Sequence, residues 1–123
     1  MSTTPSKPFQ VQIRYKAGMA ILDLQGDITI AAEDALDDAY SKAENSTITF
    51  ILLNFYAVDY INSTGVALII SLLARARKNH QIILVCGLSA HYIEIFQITS
   101  LIDFINMFPD ESSALATLKP SYA

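Results

Sequence analysis

The chain has 123 residues, 52% of them hydrophobic, and a formal charge of −4 at pH 7. That length holds one domain with a real core and excludes two. The acidic balance, with no Lys/Arg cluster, argues against a nucleic-acid surface or a grip on anionic lipid, because both need concentrated positive charge.

Residues 1–8 are polar, include Pro5 and Pro8, and lack the apolar run of a secretion signal, so they read as a disordered leader. Residues 9–15 alternate apolar and polar through Phe9, Val11, Ile13 and Tyr15, the period of a half-buried strand. Lys16, Ala17 and Gly18 supply a turn, and residues 19–26 a second strand, so the two form an antiparallel hairpin. Residues 31–44, rich in Ala, Leu, Asp and Glu, predict a helix with Ala35, Leu36, Ala39 and Tyr40 on one face. Residues 47–54 make a nearly continuous β-branched and aliphatic run, which predicts a central strand covered on both sides.

Beyond Gly65, the residues Val66, Ile69, Ile70, Leu73 and Arg77 recur at helical spacing as far as about Asn79. Arg75, Arg77 and Lys78 suit the negative end of that helix. Residues 81–86 read as another buried strand closed by Gly87. Residues 89–99 read as a short helix capped by Ser89, with Ile93, Ile95, Phe96 and Ile98 as its apolar contacts. Residues 102–108 form a short edge strand stopped by Pro109, residues 110–118 a last helix with an acidic start, and residues 119–123 a tail. The order β-β-α-β-α-β-α-β-α predicts an α/β domain: a mixed sheet with helices mainly on one side. Its longest apolar stretch, residues 66–76, is broken by Ser71 and Arg75 and is too short to span a bilayer. A cytoplasmic protein without membrane insertion is therefore expected. The two edge strands leave monomer and dimer both open.

Little here equips an enzyme. Four scattered glycines make no phosphate loop. His80 and His91 have no carboxylates at ligand spacing, so neither a metal nor a cofactor is expected. Cys86 is alone and follows four aliphatic residues, which marks it as a buried thiol. Ser63 lacks both the G-x-S-x-G elbow and an oriented base.

The most telling stretch ends Asp59-Tyr-Ile-Asn-Ser-Thr-Gly65 and runs straight into the apolar helical pattern. It sets Ser63 and Thr64 where strand and loop hand over to a helix. A side-chain oxygen of Asn62 or Ser63 can cap the orphan N–H groups there. A phosphate at the same place would meet the positive end of the helix dipole. The residues alone leave cap and switch both open. Asp27 reads as a solvated turn carboxylate and Asp59 as a loop residue. Tyr60 and Ile61 read as docking residues or as core anchors. Leu68 and Leu72, on the flank of the helix, are the candidate partner surface.

With this element order and this junction, the chain resembles the STAS family over residues 9–118, and in particular the bacterial anti-sigma factor antagonists. Leu24-Gln-Gly-Asp-Ile28 looks like the family's Leu-x-Gly-x-(Leu/Ile) strand end. Residues 59–65 look like its phosphorylation loop, usually ending Asp-Ser-(Ser/Thr)-Gly, and residues 98–102 like its closing segment. The resemblance implies an antagonist in a partner-switching pathway that binds an anti-sigma factor with ATP-dependent serine kinase activity. It implies phosphorylation of Ser63, with Thr64 as the fallback acceptor, and a phosphatase that reverses it. It places Asp27, Thr29, Asp59, Tyr60, Ile61, Asn62 and Gly65 at the docking surface, to which Leu68 and Leu72 are added. Two positions depart from the family: Asn62 stands where an Asp is usual, and Thr29 where a second acid is common. That loss also fits a non-switching STAS subunit, such as a stressosome-type scaffold or the partner of a lipid-transport ATPase.

Overall fold

The computed structural model describes residues 7–44, 47–98 and 105–117. One sheet holds β1 (Gln10–Lys16), β2 (Met19–Ile28), β3 (Phe50–Ile61), β4 (Ile82–Cys86) and β5 (Asn106–Phe108), in that spatial order. The helices are α1 (Glu33–Ala43), α2 (Ser63–Lys78), α3 (Ala90–Ile98) and α4 (Glu111–Ala116). β1 is antiparallel to β2, and the remaining neighbours are parallel, so the sheet is mixed and the expected order of elements is realised. The hairpin turns through Ala17 (φ 54) and Gly18 (φ 80), the pair of positive angles that a two-residue turn between twisted strands requires.

β2 explains the high apolar fraction, since Met19, Ala20, Ile21 and Leu22 are all fully buried. Alternate residues point to opposite faces. Ala20, Leu22 and Leu24 join Ile51, Leu53, Phe55, Ile83 and Val85 in the larger core, beneath the first three helices. Leu36, Ala39 and Tyr40 of α1 cover it, as do Ile69, Leu73 and Ala76 of α2. Phe96 of α3 adds its ring edge-on to Phe55. Met19, Ile21, Leu52, Leu84 and Cys86 face the other way, under Ala114 of α4. Of the described α-helices, three therefore lie on one face and one on the other.

Polar pins fix the layers. Arg75, near the C-terminal end of α2, donates to Glu44, Asp37 and Ser41 and lies 4.8 Å over the Tyr40 ring, which locks α2 to α1. On the opposite face Arg14 bridges Asp23 of β2 and Glu111 of α4.

Several boundaries differ from the sequence expectation. β3 does not stop at Asn54 but runs to Ile61, because register shifts at Asp23/Gln25 and Gly26/Asp27 let pairing with β2 continue to Ile28↔Ile61. α2 starts at Ser63, and its phase turns Leu72 into the core at 5% exposure while Ile70 is 43% exposed. Leu72 is thus a core residue, not a surface flank. Ala35 is exposed and Ala43 is buried in its place, and Ile98 is exposed rather than an apolar contact. Lys7 and Pro8, expected in the leader, already lie against Gly26 and Asp27. The rest of the leader, residues 99–102 of the closing segment, residues 102–104 of the expected edge strand and residues 118–123 lie outside the described residues.

Candidate functional site

The site forms where β2 and β3 end side by side and α2 begins. Asp27 pairs with Tyr60 and Ile28 with Ile61 in the parallel register. The next residue, Asn62, takes an extended conformation, and its main-chain N–H donates to the Ile28 carbonyl at 3.2 Å. Its side-chain oxygen accepts from Gly65 N at 2.8 Å, and its carbonyl accepts from Val66 N at 2.9 Å. Asn62, not Ser63, is therefore the N-cap. Ile61 and Gly65 are buried supports beneath this junction.

Ser63 is exposed at the first position of a helix of 16 residues, and Thr64 behind it is half-buried. Of the amides that a helix start leaves without intrahelical partners, Asn62 N and Gly65 N are already met. Those of Ser63 and Thr64 belong to the same helix-start set. The first turn of α2 carries no acidic residue, so a phosphate there would meet the positive end of the dipole with no carboxylate in that turn to repel it.

Around Ser63 the surface mixes apolar and acidic groups. Tyr60 is 51% exposed. Ile30, in the 3₁₀ turn Ile30–Ala32 that packs near α2, is 59% exposed. Thr29 caps that turn by accepting from Ala31 N at 3.2 Å. Asp27 and Asp59 share Lys7. The Lys7 main-chain N donates to Asp27 Oδ2 at 3.1 Å, Asp27 N returns a bond to the Lys7 carbonyl at 3.0 Å, and Lys7 Nζ reaches Asp59 Oδ1 at 3.2 Å. Further along α2, Leu68 is half-buried at a shallow depression shared with Glu33, Asp34 and Asp37 of α1, over a floor of Leu36 and Leu72.

The structure thus brings Asp27, Thr29, Asp59, Tyr60, Ile61, Asn62, Ser63 and Gly65 to one end of the sheet, with Leu68 beyond them on α2. Sequence reasoning missed Lys7, Ile30 and Tyr92, whose hydroxyl accepts the Ile61 N–H at 2.8 Å. Ile30 carried a usable signal, being a large aliphatic residue beside a capping Thr. Lys7 and Tyr92 carried none, because their contacts are far apart in sequence.

Chemistry elsewhere is sparse. Burial, reinforced by Glu111, Asp110 and Asp23, pushes the Cys86 thiol up to about 11, which keeps it protonated and unreactive at neutral pH. Among the described residues no group of His, Cys, Asp and Glu could hold a metal ion. No described helix is long and apolar enough to cross a membrane.

Among the described residues, a mixed five-stranded sheet with three helices on one face, and Ser63 following the Asn62 cap at the start of α2, defines an α/β domain. The STAS domain model matches residues 10–114, and the chain belongs to the STAS domain family. It is 26% identical over 96 residues to BtrV of Bordetella bronchiseptica, provisionally named an anti-sigma factor antagonist; the match covers 78% of this chain and 80% of BtrV. Its fold is similar to that of an anti-sigma factor antagonist from Mycobacterium paratuberculosis, with a TM-score of 0.78 at 15% identity, over 91% of this chain and 95% of that one. It is also similar to the phosphorylated form of SpoIIAA, a Bacillus cell fate determinant, with a TM-score of 0.69 at 19% identity, over 90% of this chain and 99% of that one.

Proposed function

We propose that the chain is an anti-sigma factor antagonist that docks on an anti-sigma factor with serine kinase activity and is released when that kinase phosphorylates Ser63. The observation that carries the reading is the placement of Ser63. It is exposed at the start of α2, in a first turn free of acidic residues, with exposed Ile30 and Tyr60 on the adjoining segments. The name of BtrV supports the same class.

The switch follows from where the charge lands. A phosphate adds about −1.5 to −2 charges at neutral pH. In the free domain the helix start tolerates that charge. In a complex that covers Ile30 and Tyr60, the same charge enters an apolar contact, where an anion without a cationic partner is costly. Phosphorylation then breaks the complex while the domain stays folded, and a phosphatase resets it in the cytoplasm. Thr64, half-buried, is the poorer acceptor. Leu68 serves the docking face directly, and Leu72 only as the floor beneath it.

The test compares Ser63→Ala with Ser63→Glu against the kinase recovered with the chain from its host. Ser63→Ala should bind and resist release by ATP, and Ser63→Glu should lose binding with an unchanged circular dichroism spectrum. Equal binding by both variants would contradict the reading.

A further inference from the structure

Ile61 is the last residue of β3 and the last before the cap, so whatever holds it sets how Ser63 is presented. Pairing of β3 with β4 ends at Asn54↔Cys86, and β4 therefore does not reach Ile61. The chain that follows β4 takes over. Gly87 turns there with φ 78, and a β-carbon on it would lie 2.7 Å from the Tyr56 main-chain N. Only a residue without a side chain lets the backbone pass so close in that conformation. α3 then starts over Ser89, whose carbonyl accepts from Ile93 N at 2.9 Å and whose hydroxyl accepts from Tyr92 N at 3.4 Å. Tyr92, partly buried against the larger core, is thereby laid along β3 with its hydroxyl 2.8 Å from Ile61 N.

We infer that Tyr92 is a positioning residue for phosphorylation: by accepting the Ile61 N–H it fixes the strand end from which Asn62 caps α2 and presents Ser63. Asn62 is tied to β2 through Ile28, and Ile61 to α3 through Tyr92, so the junction is held from both sides. Lys7 also reaches β3, at Asp59, but with side chains 67% and 44% exposed that pair is weak and screened. The Tyr92 bond is partly buried and satisfies a strand-end donor, so its loss is felt more. The inference rests on the proposed phosphorylation of Ser63 and adds a residue outside the acceptor loop that controls it.

Tyr92→Phe keeps the ring and removes only the acceptor. Two readouts are needed. In the unmodified chain, amide exchange at Ile61, Asn62 and Ser63, followed by NMR, should become faster. In phosphorylation by the kinase recovered with the chain from its host, KM should rise with kcat unchanged, by up to about three- to tenfold, the limit set by one lost hydrogen bond. Gly87→Ala, which shifts α3 without touching Tyr92, is the second variant and should raise KM in the same way. Unchanged exchange at Ile61, or faster exchange with an unchanged KM, overturns the inference. A wild-type chain that takes no phosphate at Ser63 overturns the phosphorylation reading instead, and exchange alone then decides whether Tyr92 positions the junction.

Discussion

Gly65 and Ile28 meet backbone to backbone: a β-carbon built on Gly65 would lie 2.0 Å from the Ile28 carbonyl oxygen and 2.9 Å from Ile61 Cγ2. The same Ile28 carbonyl accepts the Asn62 N–H, so the helix start is docked directly on the end of β2. The glycine of the junction is therefore demanded by space, since its φ is not positive. Gly65→Ala must push α2 away from β2, and overpacking at a rigid backbone contact costs about 1–3 kcal/mol. Urea unfolding should show a loss in that range. A change within about 0.5 kcal/mol, the range of an ordinary surface substitution, would mean the contact relaxes freely.

Asn62 caps α2 through a neutral oxygen. Asn62→Ala removes that acceptor and should cost about 1 kcal/mol. Asn62→Asp keeps the acceptor and sets a negative charge at the positive end of the helix, so at neutral pH it should be as stable as the parent or more so. Thermal melts of the two variants check this, and a destabilised Asn62→Asp would show that the carboxylates of Asp27 and Asp59 outweigh the dipole.

Much of this site was legible in the sequence because its signals are local. Strand alternation gave β1, the turn at residues 16–18 gave its hairpin with β2, aliphatic runs gave the buried β3 and β4, and Asn62-Ser-Thr-Gly65 gave the helix start. The end of β3 was hidden because Asp59, Tyr60 and a polar Asn54 look like a loop; only pairing with a bulged β2 makes them a strand. The phase of α2 was misjudged because nearly every residue from Val66 to Leu73 is apolar, so the sequence carries no contrast to separate buried Leu72 from exposed Ile70. Tyr92 and Lys7 reach the site across sequence separations of 31 and 52 residues, which no local pattern encodes.

Acid should weaken the grip on α4. Hydrogen bonds from Arg14 are the main cause holding both Asp23 and Glu111 below their ordinary values of 3.8 and 4.5. A carboxylate with a depressed folded value contributes stability that is fully present above its ordinary value and is lost as pH falls through the folded one. The gap in unfolding free energy between wild type and Arg14→Met should therefore be widest near neutrality. It should shrink as pH falls below 4.5 and through the lower folded values. A gap that stays constant across that range would show that Arg14 acts through packing of its stem alone.

The central claim is a phosphate on Ser63, and intact mass of the chain recovered from its host tests it most directly. The account predicts a species carrying one added phosphate in the wild type and none in Ser63→Ala. A wild type that stays unmodified across growth and stress conditions, or a phosphate that persists in Ser63→Ala, would contradict it and leave Ser63 as a plain first residue of α2.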